Sequence, residues 1–583
     1  MSDGSESSAV RNQQRNLAEA IREVKNVGAD RSDVVVELRD AERMRLELVA
    51  AELKPVFEQV PQGVDIFDFA ISSGLQPRLW IDAVSHVAMG RDKRTYRFVR
   101  DTRLGRVVLA ESTDVKPVAD QVTRYVAERM VEKGVVWKVG KIFLQDQLLY
   151  QFDLLPEDGH KMPAFINLQQ YYAEAFLVDR VGELPQIDLR WRNKVVGLEQ
   201  RNDHAILAID TPDGRYHLKA DYVVACDGAR SALRGLVGAE FSGEVFEDQF
   251  LIADVKMTAE FPTERWFWFD PPFHGGQSAL LHRQPDDVWR IDLQLGPDAD
   301  PAVERLPENV RPRIERMLGH ANFDFEWISI YKFQCRRMQR FVHERVIFAG
   351  DSAHQVSPFG ARGANSGLED AENVAWKLSL ILRGEASALL LDSYGIERSL
   401  AADENIRAST RATDFIAPHS AQERRMRKMV LQLARDTEFA KRMVNGGRLS
   451  TPSVYDTPLS TPDVDVWAAG PRPGAQMIDA PLTDGAGKPV YLSEARKAFG
   501  GFVLLQAANG ADTDIAACPS IRIGEKAPLR DATGAFAKRY DVSAGAAYLL
   551  RPDGYVAARF KKPTEAGVGA AMARASANTG VAS

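Results

Sequence analysis

The sequence predicts a multidomain α/β protein in which a sheet of parallel strands is interrupted by a separate β-rich insertion. Two short apolar runs, Val223–Cys226 and Val346–Ala349, are each followed by Asp and Gly, as buried parallel strands are where they end at a ligand. Between them, Phe250–Leu295 is rich in aromatic residues and strand-like runs, which indicates a second sheet.

Composition and charge exclude several functional classes. Of 583 residues, 45% are hydrophobic and 27% are charged, and the net charge of −7 argues against a broad attraction to nucleic acid. No apolar run reaches the roughly 18 residues of a membrane span, and the first residues lack the apolar core of a secretory signal. Cys226, Cys335 and Cys518 have neither disulfide nor metal-binding spacing. We therefore expect a soluble, cytoplasmic protein with no metal site and no nucleic-acid or membrane partner.

Residues 1–130 are predicted to form an α+β module of unknown role. A polar tail and two helix-like stretches come first, and in the second stretch Ala41, Met44 and Leu48 have the spacing of one helix face. Strand-like runs then predict an antiparallel meander, which a helix around Val115–Glu132 closes. These runs are LWIDAVSHVAM, RTYRFVRD and GRVVLAES.

Three further regions follow this module. Residues 131–415 are predicted to hold the parallel sheet, with the β-rich insertion at about 250–335. The stretch 416–472 is helical at first and then rich in Pro, Ser and Thr, as a linker is. In 473–583, apolar runs on both sides of the turn Arg551-Pro552-Asp553-Gly554 predict a hairpin in a small α/β domain.

The strongest functional signal is the segment Arg345–Gly367, with the sequence RVIFAGDSAHQVSPFGARGANSG. A strand ends in Gly350-Asp351, a Gly-rich loop follows, and a helix begins after the loop. Gly350 lets a ligand approach the backbone, and the Asp351 carboxylate can accept hydrogen bonds from a hydroxyl-bearing chain. Free N–H groups at the start of the helix favour a polarised or anionic ligand edge.

This segment closely resembles the GD motif of flavin-dependent aromatic hydroxylases. These are class A monooxygenases of the para-hydroxybenzoate and phenol hydroxylase type, which include 3-(3-hydroxyphenyl)propionate hydroxylases. In that family the Asp binds the ribityl chain of FAD, and the Pro and the Gly-rich turn lie beside the isoalloxazine ring. The resemblance implies that FAD contacts Gly350, Asp351, Pro358, Gly360, Gly363, Ala364 and Asn365.

Two other segments agree with the resemblance. Asp227-Gly228 resembles the DG motif of the family, which is linked with both FAD and NAD(P)H binding. Gln170, followed four residues later by Glu174, resembles a Gln that touches the flavin dinucleotide. Taken alone, a plain turn and a solvated helix start would explain these two segments. We expect Cys226, at the end of its strand, to be a small buried residue rather than a nucleophile.

The resemblance covers residues from about 129 onward. It implies an FAD-dependent oxidoreductase, a monooxygenase that hydroxylates a phenolic or other aromatic compound with NAD(P)H and O₂. The cofactor carries the difficult steps, so no catalytic triad is expected and the catalytic residues stay unknown. Candidate substrate contacts are Trp268, His274 and Arg283, which ordinary sheet packing would explain equally well. The small aromatic substrate and O₂ are the expected partners, and a homodimer is left open.

The C-terminal region and the start of the chain complete the expected fold class. Residues 473–583 resemble the thioredoxin-like C-terminal domain of phenol hydroxylases, but a lone Cys518 excludes dithiol exchange. Family members begin with a strand, G-x-G-x-x-G and a helix, which together hold the pyrophosphate of the dinucleotide. Here the glycines before residue 134 are too far apart for this fingerprint: Gly4, Gly28, Gly63, Gly74, Gly90 and Gly105.

We therefore expect a Rossmann-like FAD/NAD(P)-binding domain whose first βαβ unit is missing, next to an unrelated N-terminal module. Two alternatives to an active hydroxylase stay open. The chain could be a relative with impaired flavin binding, as a pseudoenzyme or a chimeric or truncated gene product would be. It could also be a regulatory or interaction module, residues 1–130, fused to the remnant of a hydroxylase.

Overall fold

The computed structural model divides the chain into two compact units. The first comprises Met1–Gly134 and Leu168–Ile187, and the second comprises Val135–Asn167 and Asp188–Ser583. Among the helices of the described residues, none is both long and apolar enough to cross a membrane. The structure describes residues 40–58, 67–72, 76–102, 105–131, 134–153, 159–257, 261–296, 298–445, 451–508, 515–542 and 545–578.

The first unit contains the predicted antiparallel meander, which is confirmed. Its strands pair in the order β1-β2-β3-β4, and all the pairs are antiparallel. Phe98 and Val122 are among the fully buried residues of the core between sheet and helices. The elements are β1 (Leu79–Asp82), β2 (Ser85–Met89), β3 (Tyr96–Thr102), β4 (Gly105–Ser112), α1 (40–58), α2 (Val115–Val131) and α3 (Gln170–Gly182).

Helix α1 confirms the second helix-like stretch, but the predicted buried face is wrong. Met44 and Leu48 are 61% and 59% exposed, whereas Leu46, Val49 and Leu53 are buried. Leu46, Val49 and Leu53 also recur at i, i+3 and i+7, so this helix carries two apolar stripes and packs through the second one. The first predicted helix-like stretch lies outside the described residues.

In the second unit, the predicted parallel pair is confirmed. Strand β12 (Val223–Ala225) runs parallel to β19 (Val346–Phe348), with Val223 opposite Val346 and Ala225 opposite Phe348. Strand β18 (Val342–His343) pairs with the other edge of β19 in the antiparallel direction. These strands pack on α7 (Arg362–Leu382) and α8 (Leu390–Ile416), because Val374 and Tyr394 share their buried core.

The aromatic-rich insertion forms part of a large mixed sheet with two distinct apolar faces. Its strand order is β20-β17-β13-β16-β15-β14-β6-β7, so it includes strands from outside the expected insertion. One face buries Phe250, Phe267 and Phe333. The opposite face buries Trp268 and Trp289. The strands are β6 (Val139–Leu144), β7 (Gln147–Asp153), β13 (Phe241–Lys256), β14 (Arg265–Phe269), β15 (Ser278–Arg283), β16 (Val288–Leu295), β17 (Asp324–Met338) and β20 (His354–Gln355).

The remaining elements before residue 446 are short strands and helices. Strands β9, β10 and β11 form an antiparallel sheet, and β5 pairs with β8. Helices α9 and α10 follow α8 at the start of the predicted linker region. Their bounds are β5 (Val135–Val136), β8 (Ile166–Asn167), β9 (Lys194–Gln200), β10 (Ala205–Thr211), β11 (Gly214–Ala220), α4 (Ala232–Leu236), α5 (Pro301–Glu304), α6 (Pro307–Leu318), α9 (Ala421–Ala434) and α10 (Glu438–Asn445).

The C-terminal region is a mixed sheet flanked by helices, and its predicted hairpin is confirmed. Strands β26 and β27 pair in the antiparallel direction across the turn at 551–554. The strand order of the sheet is β22-β21-β25-β24-β23-β26-β27. The elements are β21 (Pro481–Asp484), β22 (Pro489–Tyr491), β23 (Val503–Ala507), β24 (Ser520–Ile523), β25 (Leu529–Arg530), β26 (Ala547–Leu550), β27 (Val556–Phe560), α11 (Leu492–Lys497), α12 (Ala535–Tyr540) and α13 (Glu565–Ala575).

Candidate active site

The parallel strands β12 and β19 bring two of the predicted motifs to one edge of the sheet. Asp227-Gly228 follows β12 and Gly350-Asp351 follows β19, and the Ala349 N–H donates to the Ala225 carbonyl oxygen at 3.1 Å. Gly228 and Gly350 have φ of +76° and +62°, which a residue with a side chain rarely adopts. The chain therefore turns sharply at both strand ends and leaves this edge open.

Asp351 offers a free carboxylate at this edge, whereas Asp227 is already engaged. Asp351 is exposed and makes no side-chain hydrogen bond or ion pair with the described residues. Partial desolvation by the surrounding protein raises the pKa of its carboxyl from the usual range. Asp227 accepts a hydrogen bond from the Leu233 N–H at 3.1 Å, within the first turn of α4. Asp351 is thus the better acceptor for a hydroxyl-bearing ligand.

The Gly-rich loop leads into helix α7, which begins beside Asp351 without a capping side chain. Pro358 is exposed and Gly360 has φ of +105°, and helix α7 then begins at Arg362. The residue before the helix, Ala361, provides no side-chain cap, so the first N–H groups of the helix have no partner from a capping side chain. The predicted residues Gly363, Ala364 and Asn365 lie in this first turn.

Phe359 fixes the loop against the large sheet. Its ring packs edge-on against Phe250 at 5.0 Å and Phe333 at 5.6 Å between centroids, and it is 7% exposed. The neighbouring Pro358 stays exposed because only the Phe359 side chain turns into the core. One face of the large sheet therefore lies beneath the loop that carries the predicted flavin contacts.

Gln170 belongs to the first unit and begins α3 there. Its side-chain amide donates to Glu174 at 2.6 Å, the residue with which its spacing pairs it in the sequence. Gln170 is exposed, and its role toward a dinucleotide stays a prediction.

The three substrate candidates have other structural contacts in the described residues. Trp268 packs in the apolar core on the sheet face opposite to Phe250, beside Phe273. The His274 Nε2 lies 2.6 Å from the Gln294 carbonyl oxygen, and burial lowers the pKa of this histidine. Arg283 is 38% exposed and pairs with Asp287. Their contact with substrate stays a prediction.

A polar row on the face beneath the loop was missed by sequence reasoning. Arg265 on β14, His282 on β15, Arg290 on β16 and Asp254 on β13 are successive cross-strand partners. The Arg290 guanidinium donates two hydrogen bonds, of 2.8 and 2.7 Å, to the Asp254 carboxylate. Charged residues at the inward positions of otherwise aromatic strands are the signal that would have identified this row.

Each of the other members of this polar face keeps a polar group without a partner among the described residues, although the His282 Nε2 lies 3.1 Å from the Gln284 side-chain nitrogen. Arg265 makes neither a hydrogen bond nor an ion pair, and its guanidinium lies 5.7 Å from the ring centre of Trp137. The buried Asp292 Oδ1 and His282 Nδ1 atoms also have no hydrogen-bond partner. Burial raises the pKa of Asp292 to about 6 and lowers that of His282 well below its usual value. Unsatisfied buried polar groups of this kind are typical of a ligand site.

Cys226 corrects one expectation. The thiol lies just beyond β12 and is exposed rather than buried, because the side chain follows the last paired residue of the strand. Partial desolvation and the carboxylates of Asp370 and Asp227 raise its pKa, which disfavours the reactive thiolate.

Comparison with known proteins identifies similar sequences and folds. The sequence model of a family described as FAD binding domain matches residues 94–409, which is more than half of the chain. A 3-(3-hydroxy-phenyl)propionate/3-hydroxycinnamic acid hydroxylase of Escherichia coli (strain K12) is 30% identical over 257 residues, covering 44% of this chain and 45% of that protein. The chain thus spans about half the length of the curated relatives it matches.

Solved structures share the fold over a longer stretch. The flavin-dependent monooxygenase PieE, solved with FAD and substrate, has a TM-score of 0.64 at 22% identity, over 78% of this chain and 90% of that one. Aklavinone-11 hydroxylase, solved with FAD and aklavinone, has a TM-score of 0.61 at 20% identity, over 78% and 89%. At these identities the similarity establishes the mixed α/β fold.

Proposed function

Because the chain belongs to the FAD-binding-domain family, we propose that it is an FAD-dependent monooxygenase that hydroxylates a phenolic or other aromatic compound with NAD(P)H and O₂. The observation that carries the proposal is the single sheet edge where Asp227-Gly228 and Gly350-Asp351 meet. When bound, FAD supplies the redox chemistry by taking a hydride from NAD(P)H and activating O₂.

The residues at this edge fit a flavin. The free Asp351 carboxylate would accept hydrogen bonds from the ribityl hydroxyls. The uncapped N–H groups at Gly363 and Ala364 would donate to a polarised edge of the ring. At Gly363 an added Cβ would have only Val356 Cγ2 nearby, at 3.8 Å, so the protein itself leaves room on that side.

We assign the polar end of the substrate to Arg265, His282 and Asp292. These side chains lie on the sheet face to which Phe359 of the loop also packs. Along β13, Phe250 and Asp254 are four residues apart, roughly 13 Å at strand spacing, so a substituted aromatic ring can span the loop end and the polar row. Arg265 would pair with an acidic group of the substrate. Asp292 would donate a hydrogen bond only below its pKa of about 6 and would accept one above it. The named substrates of the curated relatives are aromatic acids, which supports this assignment.

The proposal retains the domain division expected from the sequence. It includes an N-terminal module at 1–130, an FAD domain at 131–415 without its first βαβ unit, a linker at 416–472 and a thioredoxin-like domain at 473–583. A cytoplasmic location and a homodimer belong to the same proposal.

One observation favours a second candidate, a relative with impaired flavin binding. Within the described ranges no strand pairs with the free edge of β12, and Val224 on this strand is 40% exposed. Parallel strands are normally covered on both faces. A family member with an intact first βαβ unit would have its central strand in this neighbourhood.

A turnover experiment with the full chain distinguishes the two candidates. FAD binding is first measured by fluorescence titration. NAD(P)H oxidation in excess FAD is then measured with and without 3-(3-hydroxyphenyl)propionate, and the product is identified by mass spectrometry. The proposed enzyme oxidises NAD(P)H faster when the aromatic acid is present and forms a hydroxylated product. No detectable FAD binding, together with no stimulation by any member of a panel of phenols and aromatic acids, would support the impaired relative.

A further inference from the structure

A fully buried arginine connects the C-terminal hairpin to helix α8. The Arg551 guanidinium, 1% exposed, donates to both carboxylate oxygens of Glu397 at 2.6 and 3.0 Å. Its Nε also donates to Asp553 in the same turn at 3.0 Å. This two-point geometry fixes the orientation of the turn relative to the helix.

Helix α7 takes part in the same buried cluster. The Lys377 ammonium donates to Glu397 at 2.8 Å, and the Trp376 indole donates to Asp553 at 2.9 Å. Lys377 and Glu397 are both 0% exposed, so two cations and two carboxylates neutralise one another without water. Loss of one member leaves a buried charge without its partner, which strongly destabilises the packing of the hairpin on α7 and α8.

The next residue of α8 extends the connection to the predicted cofactor loop. Arg398 donates to Asp370 on α7, and the other oxygen of Asp370 accepts the Gly350 backbone N–H at 2.8 Å. The His354 Nε2 lies 2.7 Å from the same Asp370 oxygen. Asp370 therefore holds the loop at both ends of the segment 350–354.

A second route of contacts connects Arg398 with the C-terminal region. The Arg398 guanidinium donates to the Tyr455 hydroxyl, and the Tyr455 ring stacks on Tyr555 with 4.5 Å between centroids. Tyr555 comes directly after the Arg551–Gly554 turn. Both routes join the C-terminal hairpin, α8 and the Gly350 loop in one continuous set of buried contacts.

We propose that Arg551 is a positioning residue for the cofactor loop, and that the C-terminal domain acts through it to keep Gly350-Asp351 in the binding-competent conformation. The inference rests on the proposed function only for the identity of the ligand. It assigns the C-terminal domain a role in cofactor binding at a distance, because neither Arg551 nor Glu397 touches the open edge.

Hydrogen exchange of the flavin-free full chain tests this proposal. Arg551→Gln should raise the exchange rate of peptides within 346–367 by at least about tenfold, because the loop loses its support and opens locally. The matched control is Arg559→Gln, in the same hairpin, whose guanidinium also makes a two-point pair, with Asp463 at 2.9 and 2.6 Å. Equal exchange of 346–367 in the two variants would overturn the proposal.

A measurement on the unaltered protein keeps the test decisive if Arg551→Gln does not fold. In native-state exchange under increasing urea, segments 346–367 and 547–560 should become exchangeable in one cooperative step. Opening of 346–367 at lower urea than the hairpin would contradict the proposal. A wild-type chain that binds no flavin, together with a loosened loop in Arg551→Gln, would refute the proposed function and leave this inference standing.

Discussion

Replacement of Asp351 by alanine should weaken flavin binding far more than folding. In the structure the Asp351 carboxylate has no internal partner among the described residues, so its removal takes no contact from the folded chain. A hydrogen bond to a charged group contributes about 1.5–3 kcal/mol. At 1.4 kcal/mol for each factor of ten, the Kd should rise roughly 10- to 150-fold.

The assay for Asp351→Ala is a flavin-fluorescence titration paired with thermal unfolding. The matched control is Asp213→Ala, which removes an exposed carboxylate from the turn between β10 and β11. The control should bind flavin as the wild type does, and both variants should keep the wild-type melting temperature within error. An unchanged Kd in Asp351→Ala would refute the assignment of this carboxylate to the ribityl chain.

Three other variants test the site. Gly363→Val should reduce flavin affinity at least about tenfold. The free energy of unfolding should change by about 1 kcal/mol or less, because the new Cβ meets only Val356 Cγ2, at 3.8 Å, within the protein. Equal loss of flavin affinity and of stability would indicate a purely structural glycine. Arg265→Met should leave the free energy of unfolding unchanged or higher, since no hydrogen bond or ion pair is lost and the methionine side chain can still pack on Trp137. It should raise the KM for an aromatic acid but not for its neutral amide; an unaltered KM would exclude Arg265 from the substrate site. Asp292→Asn should remove a pH dependence of stability. Burial raises the pKa of Asp292 to about 6 in the folded chain, above the 3.8 of an exposed carboxyl, so the protonated form stabilises the fold at low pH and this stability is lost as pH rises from about 4 through 6. Urea unfolding of wild type and Asp292→Asn across that window should show the wild type losing at most about 3 kcal/mol relative to the variant, and parallel curves would contradict the buried, neutral carboxyl.

Local patterns in the sequence predicted much of the fold. The runs at Val223–Cys226 and Val346–Ala349 were long enough and apolar enough to indicate the parallel strands, and the Asp and Gly residues that follow each run indicated the open edge. The meander and the Arg551–Gly554 hairpin followed from alternation and turn residues. These features depend on neighbours within about ten residues of one another.

Features that depend on long-range register could not be predicted in this way. The polar row joins Arg265, His282 and Arg290 only because three strands align in one register. Arg551 meets Glu397 across 154 residues of sequence. The buried face of α1 was chosen by tertiary packing between two equally spaced apolar stripes, so periodicity alone selected the wrong one.

The most direct test of the account compares the affinities of the full chain for FAD and for FMN by fluorescence titration. We propose that Asp351 contacts the flavin end of the cofactor, whereas the glycines before residue 134 are too far apart for the G-x-G-x-x-G turn that holds a pyrophosphate. Loss of several N–H-to-phosphate bonds, at about 1.5–3 kcal/mol each, weakens FAD binding by roughly a thousandfold. We therefore predict saturable binding of both flavins with Kd values within about tenfold of each other. Sub-micromolar binding of FAD with clear rejection of FMN would contradict the account and show that the first unit supplies a phosphate site.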